Sequence, residues 1–270
     1  MIRALITKEL RQHWAVFLLL GAFMGIGFFL ILAVVLVTEE VSVLEALRRF
    51  LWSIAVLAMM VLGNRLVVSE YQGKTQLFLE ALPLTRLRMV SVKFVLGFVL
   101  IAATVSAAFA LLLVVGQRGE AFHFRFLQIV AARTYAYLLC MYSFFFVMGL
   151  LGRYRIVIYI LGIVSAAFIE TATRLELDRF GPFALLDEQF AYERNLFPAT
   201  ALAVTVGLTA AMMLTACGLS LIREGSVATM LAERMSHREK VFLTLFVLGF
   251  LVALSVFEEK AEKEPFDLPG

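Results

Sequence analysis

An all-α, polytopic membrane helix bundle is the fold class predicted for these 270 residues, and three observations predict it. Hydrophobic residues make up 62% of the chain and charged residues 17%, with a mean hydropathy of +0.92, whereas soluble domains are about half apolar. The apolar residues fall in continuous runs, long enough for the ~20-residue helices that cross a hydrocarbon layer. Those runs lack the alternation of apolar and polar positions that an outer-membrane barrel needs. The expected bundle is an N-terminal amphipathic interfacial helix, six core transmembrane helices and a seventh.

Residues 1–13 place Ile2, Leu5, Ile6 and Leu10, with Trp14, on one side of a helix and Lys8, Arg11 and Gln12 on the other. That is the pattern of a helix lying in the membrane interface; the alternative is an extension of the first span. The run that follows is too long for a cleaved signal peptide and shows no small-residue cleavage site, so the N-terminus is expected to be retained.

The region 14–222 holds six expected spans. The first covers 14–37 and is closed by Thr38-Glu39-Glu40; a short loop with Leu44 and Arg48-Arg49 leads to the second, 50–68. Asn64 and Arg65 lie near the far end of the second span, where a long side chain can snorkel to the interface. A polar connection occupies 70–88, the third span 93–116, and a loop with Glu120 and His123 reaches to 125. The fourth span, 126–151, carries Arg133 about two turns from its start, a costly place for a charge. Either Arg133 faces an aqueous cavity, or the span starts later and 121–132 lie along the surface. A short fifth span, 156–170, ends at Glu170, and the connection 171–196, broken at Phe180-Gly181-Pro182-Phe183, is long and aromatic enough to fold back on the membrane surface. The sixth span is 197–222, followed by a linker at 223–240. Residues 241–257 form a seventh apolar run of 17 residues, at the lower limit for spanning, and 258–270 are a charged tail.

Charge sets the expected orientation. With the N-terminus inside, 14 of the 24 basic residues but six of the 21 acidic residues fall on the cytoplasmic side, the bias that the positive-inside rule describes. The connection 70–88 and the linker 223–240 are then cytoplasmic, and 171–196 and the C-terminal tail extracytoplasmic, in a plasma (inner) membrane.

Several chemistries are disfavoured. Cys140 and Cys217 each lie within an apolar run and read as small buried hydrophobes rather than a disulfide or metal pair. His13, His123 and His237 all fall outside the expected span cores, which argues against a haem held between helices. No His-Glu-x-x-His stretch, metal-ligand spacing or catalytic set is present, so neither enzymatic activity nor a metal site is expected in this chain. The basic residues flank spans rather than interleave with aromatics, a pattern of topology and anionic lipid rather than nucleic acid. Glu170, at the outer edge of the fifth, is the only acid within an expected span and no internal repeat is evident, which disfavours an ion-coupled carrier.

Gly73-Lys74-Thr75 has the ending of a phosphate-binding loop, but that motif needs a glycine where Val68 stands. The same stretch has another reading. Thr75 can cap a short helix on which Leu77, Phe78, Ala81 and Leu82 share a face, and Pro83 ends it. Thr85 can cap the next helix, with Arg86 and Arg88 at the membrane surface. Such an apolar face is covered either by a partner or by the chain's own bundle.

Glu70, Gly73, Lys74, Thr75, Leu82, Pro83, Leu84, Thr85 and Arg86, in that order between the second and third spans, resemble the membrane subunits of ATP-binding cassette exporters of the type 2 permease family. Members of that family have an amphipathic interfacial helix, two spans, a cytoplasmic connection of this form, and four further spans with a surface-hugging loop between the last two. The resemblance covers residues 1 to about 222; the seventh run departs from it. It implies a coupling helix within 70–88, with Glu70, Gly73, Lys74, Thr75, Leu77, Phe78, Ala81, Leu82, Pro83 and Arg86 resting against a separate ATPase subunit. It further implies a second permease chain, identical or homologous, and surrounding membrane lipids. No cofactor is expected in this chain, ATP and Mg belonging to the partner. Arg65, Arg133 and Glu170 remain as charges of a pathway or of the membrane interface. Two other function classes stay open: a non-transporting membrane anchor or assembly subunit, and an ion-coupled secondary carrier.

Overall fold

The structure, a computed structural model, describes residues 2–38, 43–72, 85–116, 124–155, 157–162, 181–186 and 197–222, together with positions 241, 245 and 249. The described chain is helical with no strand, as a lipid-immersed backbone requires when each N–H and C=O must find a partner within its own segment. Among the described residues, five helices are long and apolar enough to cross a membrane: Leu5–Val37, Leu44–Val67, Leu87–Val115, Phe124–Leu150 and Ala199–Leu221. Of the expected fifth and seventh spans, 157–162 and positions 241, 245 and 249 are helical; the rest of both, the linker 223–240 and the tail 258–270 lie outside the described residues.

Helix α1 (Ile2–Thr38) has 37 residues, about 55 Å at the usual rise, against a hydrocarbon layer of about 30 Å. The expected interfacial helix and first span are thus one element. No glycine or proline interrupts residues 2–20, and a single buried stripe runs from Leu5 through Glu9, His13, Phe17, Met24 and Phe28 to Val35. Of the apolar residues expected to share a face, Leu5 belongs to this stripe, whereas Leu10 and Trp14 are exposed, Trp14 at 61%. On a helix surrounded by lipid, apolar side chains face outward as comfortably as inward, and the charged ones seek the interior.

Helix α2 (Val43–Phe50) runs through a π-helical turn (Leu51–Ala55) into α3 (Val56–Gln72). The second membrane helix therefore begins a full two turns before the expected residue 50. Glu45 accounts for this: it accepts from Arg48 Nε at 2.6 Å and from Arg49 Nε at 3.0 Å, pairs at i+3 and i+4 that a helix brings together. With the charges so matched, Leu44, Ala46, Leu47 and Phe50 bury the other face.

Helices α4 (Arg86–Gly116), α5 (Phe124–Leu150) and α7 (Ala199–Ile222) complete the bundle. The closest pair is α3 and α5, which cross where Gly63 and Gly149 face each other; a Cβ built on Gly149 would lie 2.5 Å from the Gly63 carbonyl oxygen. Beside the crossing, Phe94 packs edge-on to Phe146 at 5.2 Å and against Tyr142 at 5.1 Å, sealing α4 to α5. The hydroxyls of Ser106 and Tyr135 share a short hydrogen bond between the same two helices.

Within the expected surface loop 171–196, a short helix α6 (Gly181–Ala184) and the two residues after it are described. Gly181 opens it at φ +58°, a conformation that favours glycine. Leu185 and Leu186 are fully buried, and Phe183 stacks on Trp52 at 5.5 Å. This piece packs against α5 and α7; the rest of 171–196 lies outside the described residues.

Candidate functional site

Among the described residues, the charged side chains that the bundle buries fall at its two ends. At the end where α1 and α4 begin and α3 finishes, four ionisable groups converge. Lys93 of α4, 4% exposed, donates from Nζ to the Leu66 carbonyl of α3 at 2.9 Å and lies 3.7 Å from Glu9 Oε2. Glu9 of α1 is 0% exposed, with His13 Nε2 3.7 Å from Oε2 and Lys8 Nζ 3.8 Å from Oε1. Separations of 3.7–3.8 Å are those of ion pairs rather than direct hydrogen bonds. Their attraction is strong because little water screens it, and the cost of burying each charge is high for the same reason.

The local sequence explains how these groups meet. Glu9 and His13 are four apart and so share the inner face of α1, while Lys93 sits on the inner face of α4 next to buried Phe94 and one turn before Gly97. Leu66 lies within two turns of the end of α3 at Gln72. The cluster therefore ties α1 to the two helices that bracket the connection 73–84. Nearby, Arg155 Nη1 donates to Asn64 Oδ1 at 3.3 Å, joining α3 to the chain after α5.

At the opposite end, Arg133 is 5% exposed and donates from Nε to the Leu185 carbonyl at 3.2 Å. α5 is continuous from Phe124, and the guanidinium faces the backbone that follows α6. Arg133→Met is expected to lower stability by about 1–3 kcal/mol, the cost of losing a charged donor to a buried carbonyl. Thermal unfolding in a neutral detergent checks the size, and faster amide exchange over 181–186 checks the place.

The other residues singled out from sequence are dispersed. Glu70 lies in the last turns of α3, Arg86 is the first residue of α4, and Arg65 is exposed on α3. Gly73, Lys74, Thr75, Leu77, Phe78, Ala81, Leu82, Pro83 and Glu170 lie outside the described residues. Glu9, His13 and Lys93 were not selected as a group. The available signal was one acid and one histidine four apart just before an apolar run, with a lysine at the corresponding depth of α4. Among the described residues no set of three or more His, Cys, Asp or Glu side chains is placed to hold a metal ion. Comparison of the chain with protein-family models, with curated proteins and with solved structures finds no match in any of the three.

Proposed function

We propose that this chain is the membrane-spanning permease subunit of an ATP-binding cassette exporter of the type 2 family, moving a substrate with energy from a separate ATPase subunit. Two permease chains, identical or homologous, would form the pathway, with the N-terminus and the connection 70–88 on the cytoplasmic side. The observation that carries the reading is the ordered set Glu70, Gly73, Lys74, Thr75, Leu82, Pro83 and Arg86, standing between two membrane helices whose near ends are clamped to α1. Support for the mechanical part comes from the buried cluster. A push on the connection reaches α3 and α4 directly, and the Lys93 contacts with Leu66 and Glu9 make α1 move with them as one unit. ATP and Mg would be held by the partner, and this chain contributes the apolar face of Leu77, Phe78, Ala81 and Leu82.

Phe78→Asp tests the proposal by putting a charge on that face. In a solubilised complex the ATPase subunit is expected to be recovered at less than a tenth of its normal ratio to this chain, with the bundle's own unfolding temperature unchanged. Recovery of no ATPase with the unaltered chain, together with an assembly defect in its absence from the membrane, would instead support the anchor reading.

A further inference from the structure

Between α1 and α4, at the end that carries the buried cluster, lies an open groove of about 600 Å³, within the range of about 300–1,000 Å³ usual for a site holding one small ligand. Ile6, Leu10 and Phe17 form one wall and Val92, Leu96 and Leu100 the other, with Ser91 at one end and Ala103 at the other. From Ser91 to Ala103 is 12 helical steps, about 18 Å, close to the ~15 Å depth of one hydrocarbon leaflet. The rim faces outward: Leu10 is 44%, Val95 56% and Val99 57% exposed.

Charge selects among occupants. Residues 2–15 and 86–100 together carry six basic residues, Arg3, Lys8, Arg11, Arg86, Arg88 and Lys93, and one acid, Glu9. That acid is fully buried, between Lys8 and Lys93. Arg88 is exposed one turn before Ser91 and Val92 on the same face of α4, where the groove opens toward the headgroup region. A site that is apolar along one leaflet's depth and cationic at its mouth matches an anionic lipid.

We propose that this groove is a binding site for one anionic phospholipid, an acyl chain lying along Val92 to Ala103 and the phosphate received at Arg88 and Ser91. The proposal does not depend on the transport reading. The bound lipid fills the gap between α1 and α4 outside the cluster.

Trp14 is an intrinsic reporter: it is exposed on α1 one turn beyond Leu10, and Trp52 is the other tryptophan of the chain. The full-length chain with Trp52→Phe is reconstituted in phosphatidylcholine nanodiscs, and acyl-brominated phosphatidylglycerol or phosphatidylcholine is titrated in. Trp14 quenching is expected to half-saturate at a mole fraction at least threefold lower for the brominated phosphatidylglycerol. Arg88→Gln should abolish that difference, and Ala103→Phe, which fills the far end, should reduce the saturating quench by both lipids; an unchanged unfolding temperature establishes that each variant is folded. If Arg88→Gln fails to fold, native mass spectrometry of the unaltered chain, showing retention of one phosphatidylglycerol in preference to phosphatidylcholine, supports the proposal. Equal quenching by the two lipids overturns it, as does a groove made inaccessible by a second copy, seen as quenching that falls with rising protein concentration.

Discussion

Replacing Lys93 by methionine is expected to cost about 3–5 kcal/mol of stability, the usual penalty for removing one partner from a buried ion pair. The substitution keeps most of the side-chain volume, so the loss is electrostatic. It leaves Glu9, 0% exposed, without the ammonium 3.7 Å away, and leaves the Leu66 carbonyl without the donor at 2.9 Å. Glu9→Gln, by contrast, keeps the shape and relieves one buried charge, while Lys93 retains Leu66, so its cost should be smaller. The double variant is the decisive member. Because much of the single penalty is the lost attraction between Lys93 and a buried carboxylate that keeps only Lys8 and His13 beside it, Glu9→Gln with Lys93→Met should be less destabilised than the two single changes added together, a coupling of about 1–3 kcal/mol. Unfolding of all four proteins in one detergent measures it. Additive effects would show that Glu9 and Lys93 do not interact, and that α1 is held to α4 by apolar contact alone.

The pair also shows where reading the sequence stopped. Helical spans were legible because lipid leaves the backbone few alternatives: the runs expected at 93–116, 126–151 and 197–222 are found as Arg86–Gly116, Phe124–Leu150 and Ala199–Ile222. The inward face of each span was not legible. In water an apolar stripe points to the core, but between helices in lipid there is no such preference, so apolar Leu10 and Trp14 stay exposed while Glu9 and His13 hold the contact. Charges misled for a related reason. Arg48 and Arg49 suggested a loop until Glu45 neutralised them within one helical turn, and Arg133 finds a carbonyl 52 residues along the chain, a distance no local pattern spans. The coupling stretch stands differently, since 73–84 lie outside the described residues and its assignment rests on residue order and on the anchoring of α3 and α4.

Gly149→Ala should be more damaging than a single methyl suggests, because what it meets is backbone. The new Cβ would stand 2.5 Å from the Gly63 carbonyl oxygen and 3.4 Å from the Asn64 Cα; neither can rotate aside, so α5 must retreat from α3. Gly63→Ala makes the reciprocal intrusion, 2.9 Å from the Phe145 carbonyl carbon and 3.1 Å from the Phe146 nitrogen. Each is expected to cost about 1–3 kcal/mol, the range for overpacked interiors, and each should stretch the Arg155–Asn64 hydrogen bond one residue from the crossing. Glycines elsewhere supply the control. Gly207 in α7 has nothing within 4 Å of a built Cβ, so Gly207→Ala should be neutral or stabilising by up to about 1 kcal/mol through helix propensity. The two damaging changes relieve themselves by the same movement, so Gly63→Ala combined with Gly149→Ala should cost less than their sum. Thermal unfolding across the four variants decides the matter: if Gly149→Ala is tolerated as well as Gly207→Ala, α3 and α5 do not cross in backbone contact.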